Sequence, residues 1–169
     1  MESLLPKKVG ELHHQETTIF DDPNLGVQIR YASPLGIKAD VYLYNLGMSD
    51  IPDDITSSLV MEFFQGACGD VMAMAERGVL LDFEVRASQY LDILDAASLP
   101  IYMWAAFCYR QAPGPISGYE GMRYSHLALR SDRGYINKVR YTYHDTLAET
   151  AGEGLLLFLI EWYNAVQQA

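Results

Sequence analysis

The sequence predicts one α+β domain in which an antiparallel sheet of about five to seven strands packs against two main helices. Three observations support this fold class. The chain has 169 residues, the usual size of a single domain. Two runs of alternating apolar and polar residues flank a short turn near the N-terminus, and two later stretches have helical periodicity. The predicted order is β-β-α-β-β-β(-β)-α, with residues 1–16 as an N-terminal arm and 17–169 as the domain.

The hairpin near the N-terminus is the clearest local pattern. Val27, Ile29 and Tyr31 alternate with polar residues, and alternation resumes over Ile37–Leu46 after the turn SPLG at Ser33–Gly36. Two period-two runs around a Pro/Gly turn are typical of a β-hairpin. One face of this hairpin is expected to be buried and the other polar.

The first helix is predicted by apolar residues that recur at steps of three and four along Leu59–Ala75. Asp54 or Thr56 is the expected N-cap, because short oxygen-bearing side chains bind the free N–H groups of a first turn. Gly78 is expected just beyond the last turn, where glycine adopts the left-handed conformation that ends many helices.

The later strands and the second helix follow in the second half of the chain. Asp82–Leu94 is a candidate strand, although a helical interpretation of Ala87–Ala97 also fits its spacing. Leu99–Gln111 is rich in aromatic residues and is typical of a strand. The remaining elements are predicted as a loop at 112–118, a strand at 119–130, a turn at 131–134, a strand at 135–144 and a helix at 154–168.

Composition argues against several classes of function. The net charge of −10 argues against nucleic acid and anionic membrane surfaces as partners, since both attract basic proteins. The longest apolar run, LLLFLI at Leu155–Ile160, is too short for a transmembrane segment. Met1–Gly10 lacks the apolar core of a signal peptide.

No motif in the sequence dictates a chemistry. It contains no P-loop, no dinucleotide fingerprint, no nucleophile elbow and no metal-ligand spacing. We therefore expect no enzymatic activity, no cofactor and no metal site. Cys68 and Cys108 lie among apolar neighbours and are interpreted as buried thiols. A disulfide bond between them is an alternative only if the protein occupies an oxidising compartment.

The polar phase of the predicted sheet is the remaining candidate for a site. Arginine and aromatic residues dominate interaction hot spots, and the interpretation places Trp104 on the same face as Tyr42. The alternative is a solvated face whose cations pair with Asp40, Glu84 and Glu120 across strands. The predicted binding residues are Arg30, Tyr42, Tyr44, Trp104, Arg123 and Arg140.

The hairpin, the first helix and the terminal helix resemble, in order and length, the PsbP-like α/β sandwich. The stretch FDDPNLGVQIRYASPLGIKADVYLYNLGMSDIPD at Phe20–Asp53 is similar to small uncharacterised exported bacterial proteins of that shape. LPKKVGEL at Leu5–Leu12 resembles the segment that opens their mature domain after a cleaved leader. The resemblance implies an exported, periplasmic binding or interaction module, and it carries over no functional residue.

We therefore expect a non-enzymatic, exported bacterial module that binds a protein or a small-molecule ligand. Two alternatives stay open. One is an acidic homodimer that resembles a type III secretion chaperone, and the other is a hydrolase whose site residues are dispersed along the chain. The residues alone also leave a cytoplasmic location open and do not predict the oligomeric state.

Overall fold

The structure, a computed structural model, describes residues 5–94, 100–114 and 120–168. It confirms an α+β architecture with one antiparallel sheet and two helices. The sheet has eight strands, more than the five to seven predicted, and curls into a half-barrel. The strands are β1 Lys8–Val9, β2 Leu12–Ile19, β3 Val27–Ala32, β4 Lys38–Tyr44, β5 Leu80–Leu91, β6 Tyr102–Gln111, β7 Met122–Asp132 and β8 Tyr135–His144. The helices are α1 Ser58–Glu76 and α2 Ala148–Gln168.

The strand β1 and the first part of β2 come from the segment that was expected to be an arm. β1 and β2 pair with each other, and β2 also pairs with β3. Val9 and Leu12 are buried, whereas most side chains of β2 are polar and exposed. The sequence of such a strand shows little alternation of apolar and polar residues, which is the pattern that predicts a strand. From Lys8 onward, this segment therefore belongs to the sheet.

The order of strands across the sheet is β1-β2-β3-β4-β8-β7-β6-β5. After β4 the chain passes through α1 to the far edge of the sheet and returns strand by strand to β8. β8 then pairs with β4, so that Tyr42 lies opposite Lys138 although the two are distant in sequence. This long-range pairing brings together the two parts of the chain that form the candidate site.

The helices pack on opposite faces of the sheet and form two apolar cores. On one face Phe64 of α1 packs with Leu127 and its neighbours on β6 and β7. On the other face Phe158 of α2 packs with Tyr31 and Tyr141, in the half of the sheet that contains β1–β4 and β8. Fully burying one such side chain stabilises the fold by roughly 1.5–3 kcal/mol. The buried apolar side chains of each helix therefore hold it against its half of the sheet.

The start of α1 differs from the sequence-based expectation in its cap. Ser57 is the N-cap, and its Oγ accepts a hydrogen bond from the Val60 N–H at 3.2 Å. The expected caps, Asp54 and Thr56, bind each other instead, since the Thr56 N–H donates to Asp54 Oδ1 at 2.8 Å. Gly78 follows the helix with a φ of +75°, as its position predicted.

The second half of the chain confirms a strand where two interpretations had been open. β5 extends to Leu91, so Ala87–Leu91 is extended, and residues 95–97 of the alternative helix lie outside the described residues. The predicted loop at 112–118 is described only to residue 114. α2 begins at Ala148 rather than Gly154. Within the described ranges, neither helix has the length and apolar content required to cross a membrane.

Candidate functional site

Strand register determines which side chains share a face of the sheet, because directly opposite residues of antiparallel strands point the same way. Tyr42 is opposite Lys138, and Lys138 is opposite Leu129, which belongs to the core under α1. The polar phase of the hairpin therefore lies on the α1 side. We call the part of this side that β3, β4 and β8 form the open half-face, since it lies beside α1 rather than beneath it.

Four of the six predicted binding residues lie together on the open half-face: Arg30, Tyr42, Tyr44 and Arg140. Arg123 lies on the same side of the sheet, opposite Tyr109 on β6. It is two residues along β7 from Ser125, the residue that accepts hydrogen bonds from Arg140. Arg123 therefore lies at the Arg140 end of the half-face, away from Tyr42 and Tyr44.

Trp104 lies on the opposite face, so the prediction that it shares the phase of Tyr42 is wrong. Trp104 is opposite Ala128, Ala128 is opposite Val139, and Val139 is opposite Val41. Successive residues of a strand point to opposite faces, which places Trp104 on the α2 side. The physical reason for the error is that β6 is apolar on both faces, and such a strand has no alternation that fixes its phase.

A pocket of about 630 Å³ lies between α1 and the open half-face. Pockets that bind small molecules usually measure roughly 300–1,000 Å³ and have mainly apolar walls. Tyr42, Tyr44 and Lys138 line it from the sheet, and Glu62 and Asp70 line it from α1. The larger apolar residues of the walls are Phe20, Leu25, Leu46, Met48, Leu59 and Phe63.

Lys138 provides the cation on the sheet side of the pocket. Its Nζ lies 4.5 Å from the centroid of the Tyr42 ring and 5.4 Å from that of Tyr44. Ring faces attract an ammonium group at these distances. Among the described residues, no carboxylate oxygen lies within 4.0 Å of Nζ. Burial lowers the pKa of Lys138, Arg140 lowers it further, and Asp70 opposes the shift.

The two tyrosines keep their protons at neutral pH. Burial raises the pKa of Tyr44 to about 12, with a contribution from Asp70, and burial also raises the pKa of Tyr42. The Tyr44 ring contacts Phe63 of α1 edge-on, with 6.1 Å between ring centroids. The sheet side of the pocket therefore provides a polar end made of one lysine and two neutral phenols, and Glu62 and Asp70 face it from α1.

Arg30 has carboxylate partners within the fold. Its Nε lies 2.8 Å from Asp40 Oδ1 and its Nη1 lies 2.6 Å from Glu16 Oε1. Gln28 Nε2 also donates to Asp40 Oδ1 at 3.0 Å, and the hydrogen bond to Asp40 raises the pKa of Arg30. This part of the half-face agrees with the alternative interpretation of cross-strand ion pairs on a solvated surface. Such exposed pairs contribute at most about 1 kcal/mol each.

Arg140 differs from Arg30, although both lie opposite Asp40. Its Nε and Nη2 donate to Ser125 Oγ at 3.3 and 2.9 Å. In the part of the chain that the structure describes, Arg140 has no carboxylate within 4.0 Å. Lys138 and Arg140, two residues apart on β8, therefore form a positive strip on an acidic protein.

Sequence reasoning missed the helix side of the pocket. Leu59, Phe63, Gly66 and Asp70 all line the pocket, and they are spaced at steps of three and four along α1. This spacing places the four residues on one face of α1, beside the stripe that packs on the sheet, and it is the signal in the sequence that groups them. A Cβ added at Gly66 would meet no atom within 4 Å, so this glycine borders open space.

The cysteines do not contribute to this site. Cys68 and Cys108 are free thiols, and burial raises the pKa of both. Cys68 packs in the core under α1, whereas Cys108 lies opposite Tyr124 on the other face, so a bridge would have to pass through the sheet. Within residues 5–94, 100–114 and 120–168, no group of three or more His, Cys, Asp or Glu side chains is placed to hold a metal ion.

Comparisons with known protein families, curated proteins and solved structures gave no match. The chemistry of the pocket therefore rests on the residues that form it. These residues combine apolar walls, one lysine held by two phenol rings, and two carboxylates on the facing helix.

Proposed function

We propose that this protein is a non-enzymatic, exported bacterial binding module that holds a small, mainly apolar ligand in the pocket between α1 and the open half-face. The observation that carries the proposal is Lys138, whose amine lies over the rings of Tyr42 and Tyr44 at the polar end of the pocket. Apolar walls supply affinity for small ligands, and a few placed polar groups fix their orientation. Export is supported by the resemblance of Leu5–Leu12 to the start of mature exported domains.

The charges around the pocket indicate how such a ligand is oriented. Lys138 on the sheet side attracts an oxygen acceptor, such as a carboxylate or a carbonyl group. Glu62 and Asp70 on α1 repel an anion, so the acceptor end is directed toward the sheet. The apolar body of the ligand then lies against Leu59 and Phe63.

The test is a fluorescence titration with 1-anilinonaphthalene-8-sulfonate, a probe that has an aromatic body and one anionic group. We expect saturable binding at one site in the wild-type protein. Gly66→Leu fills the pocket and is expected to weaken binding at least tenfold. Gly69→Leu is the matched control, since Gly69 lies one turn further along α1 and is not among the residues that line the pocket.

Both variants are expected to fold. A Cβ at either glycine meets no atom within 4 Å, and replacing glycine inside a helix removes an entropic cost of up to about 1 kcal/mol. Thermal unfolding curves check this expectation. Equal affinity of the two variants for the probe would show that it binds elsewhere and would contradict the proposal.

A further inference from the structure

We propose that Lys138 captures its ligand covalently, by condensing its ε-amino group with an aldehyde or ketone carbonyl to form an imine. This proposal rests on the proposed function, because it names the polar end of the ligand that the pocket holds. Its basis is geometric: the amine of Lys138 lines a pocket of about 630 Å³ and has no carboxylate within 4.0 Å among the described residues.

Lys138 differs from the other three lysines of the chain. Lys7, Lys8 and Lys38 are exposed, and Lys8 also lies 3.5 Å from Glu11. Lys138 is half-buried, and desolvation is the usual means by which proteins produce a nucleophilic lysine.

The charged and titratable groups around Lys138 come from three elements. Tyr42 and Tyr44 face it from β4, Arg140 from its own strand, and Glu62 and Asp70 from α1 across the pocket. The ring faces and the carboxylate of Asp70 favour the ammonium form. Burial and Arg140 favour the neutral amine, and the pKa of Lys138 is lowered on balance.

The reaction needs no oxidant, reductant or metal. The neutral nitrogen attacks the carbonyl carbon, the N–C bond forms as the C=O π bond breaks, and the oxygen takes a proton to give a carbinolamine. Loss of water then breaks the C–O bond and forms the C=N bond. Amine plus carbonyl thus gives imine plus water. The protonated phenols of Tyr42 and Tyr44 and the carboxylate of Asp70, which line the same pocket, are the groups available to donate and accept the protons.

A neutral carbonyl also suits this pocket better than an anion. An anionic group gains from Lys138 but is repelled by the two carboxylates on α1. A carbonyl avoids that repulsion and still presents an oxygen to the phenols. The same residues therefore favour an apolar aldehyde or ketone as the ligand class.

Reductive trapping with 2-naphthaldehyde and sodium cyanoborohydride tests the proposal. The reagent delivers hydride to the imine carbon, and the stable secondary amine is located by peptide mass mapping. At pH 7 we expect Lys138 to be modified at least tenfold faster than Lys7, Lys8 and Lys38, which serve as internal references. Gly66→Leu should slow modification of Lys138 at least tenfold, and Gly69→Leu should not change it.

The pH profile provides a second readout. The rate of modification at Lys138 should reach its plateau at a lower pH than that of a free lysine amine, whose pKa is ordinarily 10.5. Uniform labelling of all four lysines, or labelling of Lys138 that Gly66→Leu does not slow, would overturn the proposal. Binding of the sulfonate probe without labelling of Lys138 would overturn the imine and leave the pocket as a ligand site. If the wild-type protein neither binds the sulfonate probe nor is labelled at Lys138, the proposed function is overturned as well.

Discussion

The Lys138 pocket and the Trp104 ring cluster occupy opposite faces of one sheet, and they differ in how their polar atoms are paired. On the α2 side, Trp104 Nε1 donates to His126 Nδ1 at 3.2 Å, and His126 Nε2 lies 3.0 Å from the Tyr143 hydroxyl. On the α1 side, Lys138 and Arg140 have no carboxylate within 4.0 Å in the described chain.

The Trp104 ring cluster is a continuous stack across three strands. Trp104 and His126 lie 5.8 Å apart with 10° between their planes, and His126 and Tyr143 lie 5.5 Å apart with 22° between theirs. Because His126 Nδ1 accepts from Trp104, the ring carries its proton on Nε2, which donates to Tyr143. Both ring nitrogens of the histidine are therefore satisfied by protein groups.

This difference separates a structural cluster from a candidate binding site. Polar atoms that are satisfied inside the fold contribute to its stability, whereas polar atoms that face a pocket without a protein partner are available to a ligand. We therefore expect substitutions in the Trp104 ring cluster to change the free energy of unfolding, and substitutions in the pocket to change ligand binding.

The largest expected effect on stability is that of Trp104→Ala. It removes a large half-buried ring together with the hydrogen bond to His126, and we expect the free energy of unfolding in urea to fall by about 3 kcal/mol. Trp104→Phe, which keeps a ring for stacking, should lose about 1 kcal/mol. Binding of the sulfonate probe by the folded variants should be unchanged. Weaker probe binding in both variants would break the distinction between the two faces.

A smaller decrease in the free energy of unfolding is expected at acidic pH. Burial lowers the pKa of His126 from its ordinary value of 6.5 to about 4. Between these two pH values the unfolded chain binds a proton that the folded protein does not. The contribution of neutral His126 to the free energy of unfolding is therefore fully present above pH 6.5 and decreases as the pH falls toward 4. The shift corresponds to at most about 3 kcal/mol.

Urea unfolding of the wild-type protein and of His126→Gln across this pH range checks the expectation. Burial also lowers the pKa of His144, so both histidines contribute to the wild-type curve. The difference between the two proteins isolates the contribution of His126, because His144 is present in both. Parallel curves for the two proteins would show that His126 does not titrate with folding.

The hairpin and α1 could be predicted because each has a clear periodicity. Val41 and Tyr42 alternate between the two faces, and the apolar stripe of α1 ends near Gly78 as expected. The first part of the strand β2 was assigned to an arm because its side chains are mostly polar. The side of the sheet on which Trp104 lies depends on pairing with β7, which no pattern within an apolar strand reveals.

The candidate site was predicted only in part, for a related reason. Tyr42 and Tyr44 could be assigned to the polar phase of the hairpin from sequence alone. Lys138 joins them because β4 pairs with β8, and Phe63 joins them because α1 packs beside that pair of strands. These are long-range contacts, and a pocket between them leaves no local signature in the sequence.

Lys138→Met tests most directly whether Lys138 serves a ligand rather than the fold. Methionine keeps the unbranched shape and removes the charge, so the free energy of unfolding should change by no more than about 1 kcal/mol. Lys38→Met is the control, since Lys38 is exposed on the same side of the sheet and lies opposite Thr142. In a titration with 1-anilinonaphthalene-8-sulfonate, we expect at least tenfold weaker binding for Lys138→Met and unchanged binding for Lys38→Met. Equal binding by the two variants would show that Lys138 does not hold the ligand.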